Sequence, residues 1–172
     1  EIRYHGGLED ASRLGVLSHW WLAGPFKVED VKASWNEEFV DVDRVNPEED
    51  EKWREIITSD SIGDINLASE LGAVNQAFAY AFTRIDVDEK TPAQLRIGSD
   101  DGLRVWINGQ EVHDHLVERG AAPDSDIVSV TLQPGENRIL LRISQGAGGW
   151  GFCARITDQK GLPLVFSSTE EE

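Results

Sequence analysis

From Leu95 to Ile143 the chain keeps a two-residue rhythm. Leu95 and Ile97, then Leu103, Val105 and Ile107, then Val128, Val130 and Leu132, then Ile139, Leu141 and Ile143 alternate with polar or charged neighbours. Successive side chains of an extended strand point to opposite faces, so this period predicts half-buried antiparallel strands. The connectors agree: Asp100-Asp101-Gly102, Asn108-Gly109 and Pro134-Gly135-Glu136-Asn137 are residue types that tolerate tight or left-handed turns. Asn108-Gly109, set between Val105-Trp106-Ile107 and Glu111-Val112-His113, is the strongest hairpin signal.

Upstream, residues 17–23, 36–42, 62–67 and 74–87 read as further strands separated by Gly, Pro, Asp and Asn. Pro47 followed by Glu48, Glu49 and Asp50 suits a helix N-terminus, so the stretch 47–57 reads as a short helix or a decorated loop. Leu8, Ala11, Leu14 and Gly15 have loosely helical spacing, which assigns 1–16 to a linker or short helix, while 168–172 reads as an acidic linker. Residues 17–167 then form one all-β domain, two packed antiparallel sheets in a β-sandwich or jelly roll.

A chain of 172 residues, 40% hydrophobic and 28% charged, can bury a core without metal or disulfide staples. No apolar run approaches the roughly 20 residues that span a bilayer, which argues against membrane insertion. The first residue is Glu1, methionine is absent and no basic-then-apolar leader is visible. The expectation is an extracellular, periplasmic or cell-surface domain whose signal peptide lies outside this stretch. The lone Cys153, in the strand-like run Trp150 to Ile156, reads as a buried, inert thiol. A formal charge of -16 repels polyanions, so nucleic acid is excluded as a partner and a neutral glycan is an easier ligand than a sulfated or uronic one.

Three stretches carry a resemblance: Trp20-Trp21-Leu22-Ala23-Gly24-Pro25-Phe26, then Gly98-Ser99-Asp100-Asp101-Gly102-Leu103-Arg104-Val105-Trp106-Ile107-Asn108-Gly109, then Leu132-Gln133-Pro134-Gly135-Glu136-Asn137-Arg138-Ile139-Leu140-Leu141-Arg142-Ile143. With Gly148-Gly149-Trp150-Gly151-Phe152 they resemble the galactose-binding-like jelly rolls appended to large bacterial exported proteins. The resemblance implies a non-catalytic, carbohydrate-binding accessory domain whose partners are a glycan and the adjacent domains of its polypeptide. Some members of that superfamily only pack against a neighbouring enzyme, which supplies the alternative of a structural or protein-interaction jelly roll. The Asp100-Asp101-Gly102 turn is also similar to the acidic turn of protective-antigen-type lectin domains. There, paired aspartates hold calcium that grips sugar hydroxyls, which implies Asp100 and Asp101 as metal ligands and calcium as a cofactor.

Sugar recognition needs an aromatic face plus a few polar groups. Trp150, in the loop Gly146-Ala147-Gly148-Gly149-Trp150-Gly151, is the first candidate platform, although its phase with Phe152, Ala154 and Ile156 equally makes it a core residue. Arg142 alternates outward, and Asn108, Asp100 and Asp101 lie in turns; these four are the candidate polar groups. Trp106 falls out of phase with Val105 and Ile107, on a face assigned to Arg96 and Arg104, where it either contacts a partner or is capped by the 47–73 connection. Trp20, Trp21, Trp35 and Trp53 read mostly as packing residues, with one of the adjacent pair facing away from the core. His113-Asp114-His115 places two imidazoles on one strand face, compatible with a transition metal if a third ligand is near and with a solvated hairpin if none is. No phosphate loop, nucleophile elbow or zinc motif is present, so the sequence does not point to an enzyme.

Overall fold

The computed structural model describes residues 2–4, 15–164 and 166–167. In chain order the elements are β1 (Ile2–Tyr4), β2 (His19–Lys27), β3 (Arg54–Ile57), β4 (Ile65–Asn66), α1 (Leu67–Leu71), β5 (Ala77–Val87) and β6 (Thr91–Asp100). They continue with β7 (Leu103–Ile107), β8 (Gln110–His115), β9 (Asp126–Leu132), β10 (Gly135–Gln145), β11 (Gly151–Thr157) and β12 (Phe166–Ser167). Two sheets result, packed as a sandwich. The larger follows β12-β1-β5-β10-β7-β8, with β2 on the edge of β5 that β1 also occupies and β3 outside β2. The smaller is β4-β11-β6-β9. Pairing is antiparallel except between β1 and β12.

The two-residue rhythm places the core as expected. Leu95, Ile97, Leu103, Val105, Ile107, Val128, Val130, Leu132, Ile139, Leu141 and Ile143 all join one buried cluster between the sheets. Trp20 closes one part of it, edge-on to Phe152 at 5.1 Å, with its indole N–H donating to the Leu17 carbonyl.

The larger sheet is covered on its outer face as well. Along β5 the small Ala77, Ala79 and Ala81 face the inter-sheet core, while Phe78, Tyr80 and Phe82 point outward and are just as buried. What covers them is the connection from β2 to β3, whose Val31, Trp35, Val40, Val45 and Trp53 pack down onto the sheet. A strand buried on both faces loses its polar alternation, which is why β5 reads as a nearly continuous apolar run.

This arm corrects several expectations. Residues 36–42 form no strand: Phe39, Val40 and Val42 lie on the outer face of the sheet instead of pairing at its edge. The stretch 47–57 is a loop with turns running into β3, and the short helix falls at Leu67–Leu71, where the Asn66 side chain accepts a hydrogen bond from Ser69 N as its cap. Ile2–Tyr4, within the segment assigned to a linker or short helix, is a strand opposite Ile85–Val87. Residues 5–14 and the acidic linker 168–172 lie outside the described residues.

Candidate functional site

The tightest polar constellation lies where β6 turns into β7. The peptide bond between Asp100 and Asp101 is cis. Asp101, 8% exposed, ties three segments together. Its Oδ1 accepts from Arg119 N at 3.1 Å and its Oδ2 from Gly146 N at 2.9 Å, while its own N–H donates to Ser144 O at 2.8 Å. Ser99 Oγ donates to the Asp101 carbonyl at 2.7 Å. The turn is therefore locked to β10, to the Gly-rich loop after it, and to residues 116–125, which strap across from β8 to β9. Gly98 permits that strap to lie close, since a Cβ there would stand 2.2 Å from the Ala122 carbonyl oxygen.

Asp100 lies beside its neighbour. Burial first, then the hydrogen bond to Asp101 and that residue's charge, push the Asp100 carboxyl up to about 6. Two carboxylates held in contact favour a proton or a cation between them, so the donor set fits calcium in kind. Calcium takes six to eight oxygens, roughly, and the pair supplies two side chains, one of them already accepting two backbone N–H groups.

Beside Asp101 opens a cavity of about 360 Å³. Its lining includes the apolar Val31, Leu116 and Val117, the polar Gln76, Ser144 and Gly146, and the charged Asp30, Lys32 and Glu118. Lys32 Nζ and Glu118 Oε1 approach to 3.7 Å. Of these residues only Asp101 stood among the sequence candidates. Ser144 belongs to β10 and Gln76 stands just before β5, while the others come from the arm, the strap and the Gly-rich loop, which carry no periodic signal.

The structure separates the remaining candidates. Trp150 is 2% exposed and belongs to the inter-sheet core, so it is not a stacking platform; its phase with Phe152, Ala154 and Ile156 is the decisive signal. All six tryptophans are at most 8% exposed, which leaves none available to stack on a pyranose. Arg142 does alternate outward, but the arm covers it: it is 1% exposed and donates to the carbonyls of Trp35 and Glu37. Asn108 lies at the opposite end of β7, with φ +51°, and uses both ends of its amide to hold the hairpin to β10, through Asn137 Oδ1 and Arg138 N.

The Trp106 surface is also closed. Trp106 is 7% and Arg104 8% exposed, and the cover is the 28–53 arm, which overlaps the expected 47–73 connection only in its last stretch, where Trp53 joins the same cluster. Trp106 stacks on Tyr80 at 6.3 Å, and Arg104 lies over Trp35. Arg96 is not on that face: it stands on the smaller sheet opposite Arg155, and both bind Asp124. Trp20 faces the inter-sheet core and Trp21 the outer one, as adjacent strand residues must. Cys153 is buried, and burial pushes its thiol up, as befits an inert cysteine.

No protein-family model matches the chain, and a comparison with curated proteins finds no match. Solved structures do match. A β-glucosidase from Kluyveromyces marxianus in complex with glucose aligns over 90% of this chain and 19% of its own, at 14% identity and a TM-score of 0.52. An anti-sigma factor domain-containing protein aligns over 92% of this chain and 48% of its own, at 11% identity and a TM-score of 0.52. A PA14 sugar-binding domain from an RTX adhesin aligns over 52% of this chain and 50% of its own, at 23% identity and a TM-score of 0.38, too distant to carry an argument. Identities this low show a shared β-sandwich fold and nothing finer. This chain spans 19% of the β-glucosidase and 48% of the anti-sigma factor domain-containing protein.

Proposed function

We propose that this chain is a non-catalytic, galactose-binding-like accessory domain of a larger secreted or surface protein, and that it takes a neutral glycan in the cavity beside Asp101. The single observation that carries the reading is the cavity itself. At about 360 Å³ it falls within the usual size for small-ligand sites, and its lining combines the apolar Val31, Leu116 and Val117 with the polar Gln76 and Ser144. A pyranose has the same combination: C–H faces for the apolar residues and hydroxyls for the polar ones. Asp30, Asp101 and Glu118 on the lining, within a domain of charge -16, disfavour an anionic sugar. Calcium on Asp100 and Asp101 would favour the ionised form of Asp100, which burial and then the neighbouring Asp101 disfavour, and would leave coordination positions for glycan hydroxyls. With two carboxylates its dissociation constant falls on the order of 10⁻⁴–10⁻³ M, the range of extracellular modules. Among the described residues no helix is long and apolar enough to cross a membrane.

The test is calorimetric titration of the chain with a panel of neutral mono- and oligosaccharides, in calcium and again after chelation. Saturable binding is expected, weakened by chelation and by Asp100→Asn, and abolished by Leu116→Trp, which fills the cavity from a side chain 44% exposed. Silence across the panel in both conditions overturns the reading. Binding that survives Leu116→Trp moves it away from this cavity.

The alternative, a domain that packs on a catalytic neighbour or on its own copy, has one observation in its favour. A second cavity, of about 200 Å³, is lined by Val16, Ile62, Pro123, Cys153 and Ala154 together with the charged Arg96, Asp124 and Arg155. Sedimentation equilibrium at rising concentration, with Ile62→Lys as control, tests self-association there; a monomer throughout removes that form of the reading.

A further inference from the structure

β8 and β9 are edge strands of different sheets, and they meet on the same side of the sandwich. His113 and His115, two residues apart on β8, present both imidazoles to one face, and Asp126, the first residue of β9, stands against them. His113 Nε2 lies 3.3 Å from Asp126 Oδ2, and His115 Nδ1 lies 3.0 Å from Oδ1 and 3.2 Å from Oδ2. One ligand atom from each residue falls within 4.8 Å of the other two. In a tetrahedral zinc site, bonds of about 2.0–2.1 Å put neighbouring donor atoms about 3.3 Å apart. The carboxylate-to-imidazole separations already have that length.

The surroundings suit a metal centre. Asp126 is 7% exposed, and Arg119 grips its carboxylate from the far side, Nη1 to Oδ1 at 3.2 Å and Nη2 to Oδ2 at 2.8 Å. That fixes the carboxylate plane in the way an outer-shell donor fixes a ligand, and leaves the remaining lone pairs turned to the imidazoles. The His113 and His115 side chains are 26% and 40% exposed, so solvent reaches the fourth position.

We propose that His113, His115 and Asp126 form a binding site for a divalent transition-metal ion of the zinc class, with its ligands drawn from both sheets. Two imidazole nitrogens and one carboxylate oxygen select zinc, cobalt or nickel over calcium and magnesium. The fourth position holds an exchangeable water. Any imidazole proton that faces Asp126 moves to the other ring nitrogen or to solvent when the metal enters. The site is separate from the glycan cavity and stands or falls without it.

The test uses the untagged chain, stripped with a chelator and titrated with cobalt(II) at neutral pH. Visible d–d bands are expected to grow to one equivalent and to vanish when zinc displaces cobalt. Zinc at a hundredfold excess over its dissociation constant raises the melting temperature by about 5–10 °C. The double variant His113→Gln/His115→Gln, on a solvent-facing edge, keeps the melting temperature of the metal-free chain and loses both responses. Bands that fail to appear, or that persist undiminished in the double variant, overturn the proposal.

Discussion

The guanidinium of Arg142 lies over the ring of Trp35, 4.9 Å from its centroid, and donates to that same residue's carbonyl oxygen. A second donation, Nη1 to Glu37 O at 2.8 Å, and the ring of Phe78 at 4.4 Å complete its enclosure. A charge buried this deeply is tolerable only because backbone acceptors and aromatic faces replace its water. Arg142 is thus the pin that holds the 28–53 arm to the larger sheet.

Arg142→Met should leave the Trp35 and Glu37 carbonyls without their donor and cost about 3 kcal/mol. Urea denaturation measures this directly, and limited proteolysis should show first cleavage moving into the arm. A loss below about 0.5 kcal/mol, the size of an ordinary surface change, contradicts the pinning role.

Trp150 offers a contrast between two substitutions. Its Nε1 is buried with no hydrogen-bond partner among the described residues, so Trp150→Phe removes an unsatisfied donor together with part of the ring. That variant should lose little, under about 1.5 kcal/mol, whereas Trp150→Ala opens a cavity in the inter-sheet core and should lose about 3–5 kcal/mol. Equal losses in denaturant melts would show that the indole N–H is satisfied after all.

Gly98→Ala is expected to dislodge the strap. The new methyl would meet the Ala122 carbonyl at 2.2 Å, a backbone atom that cannot swing aside. Overpacking of this kind costs about 1–3 kcal/mol. Faster amide exchange over residues 116–125, together with weaker binding at the cavity that Leu116 and Val117 line, is the signature; unchanged exchange rejects the close approach.

The ion pair between Arg84 and Glu48 predicts a pH-dependent contribution. The Arg84 hydrogen bond holds the Glu48 carboxyl at about 2, below its ordinary 4.5. A carboxylate whose folded value is depressed contributes stability that is full above the ordinary value and is lost as pH falls toward the folded one. The Glu48 side chain is 49% exposed, so solvent screening limits the contribution to about 1 kcal/mol or less. Glu48→Gln should be less stable by up to that amount at pH 7, and the gap should close on acidification toward about pH 2. A gap that stays constant in acid melts assigns it to packing instead.

The inter-sheet core was legible before any coordinates. Alternation is a local property: from Leu95 to Ile143 it names the inward residues, and the Asn-Gly hairpin sets β7 against β8. The burial of Trp150 was legible too, in its phase with Phe152. Harder to read was the outer face of the larger sheet. Ala-Phe-Ala-Tyr-Ala-Phe along β5 is apolar at every position, so periodicity cannot tell which face meets the second sheet and which meets the arm.

Charge and turn chemistry likewise follow from the sequence alone, and a net charge of -16 repels polyanions. Where polar groups converge does not follow, because the convergence is made by chain segments far apart in sequence. Arg142 reaches an acceptor 105 residues away, and Asp126 meets two histidines that belong to the other sheet. Alternation says which way a side chain points; it carries no information about what arrives from elsewhere to cover it. That is settled by the packing of whole layers, and it turned an outward arginine into a buried pin and set a pair of hairpin histidines against a buried carboxylate of the other sheet.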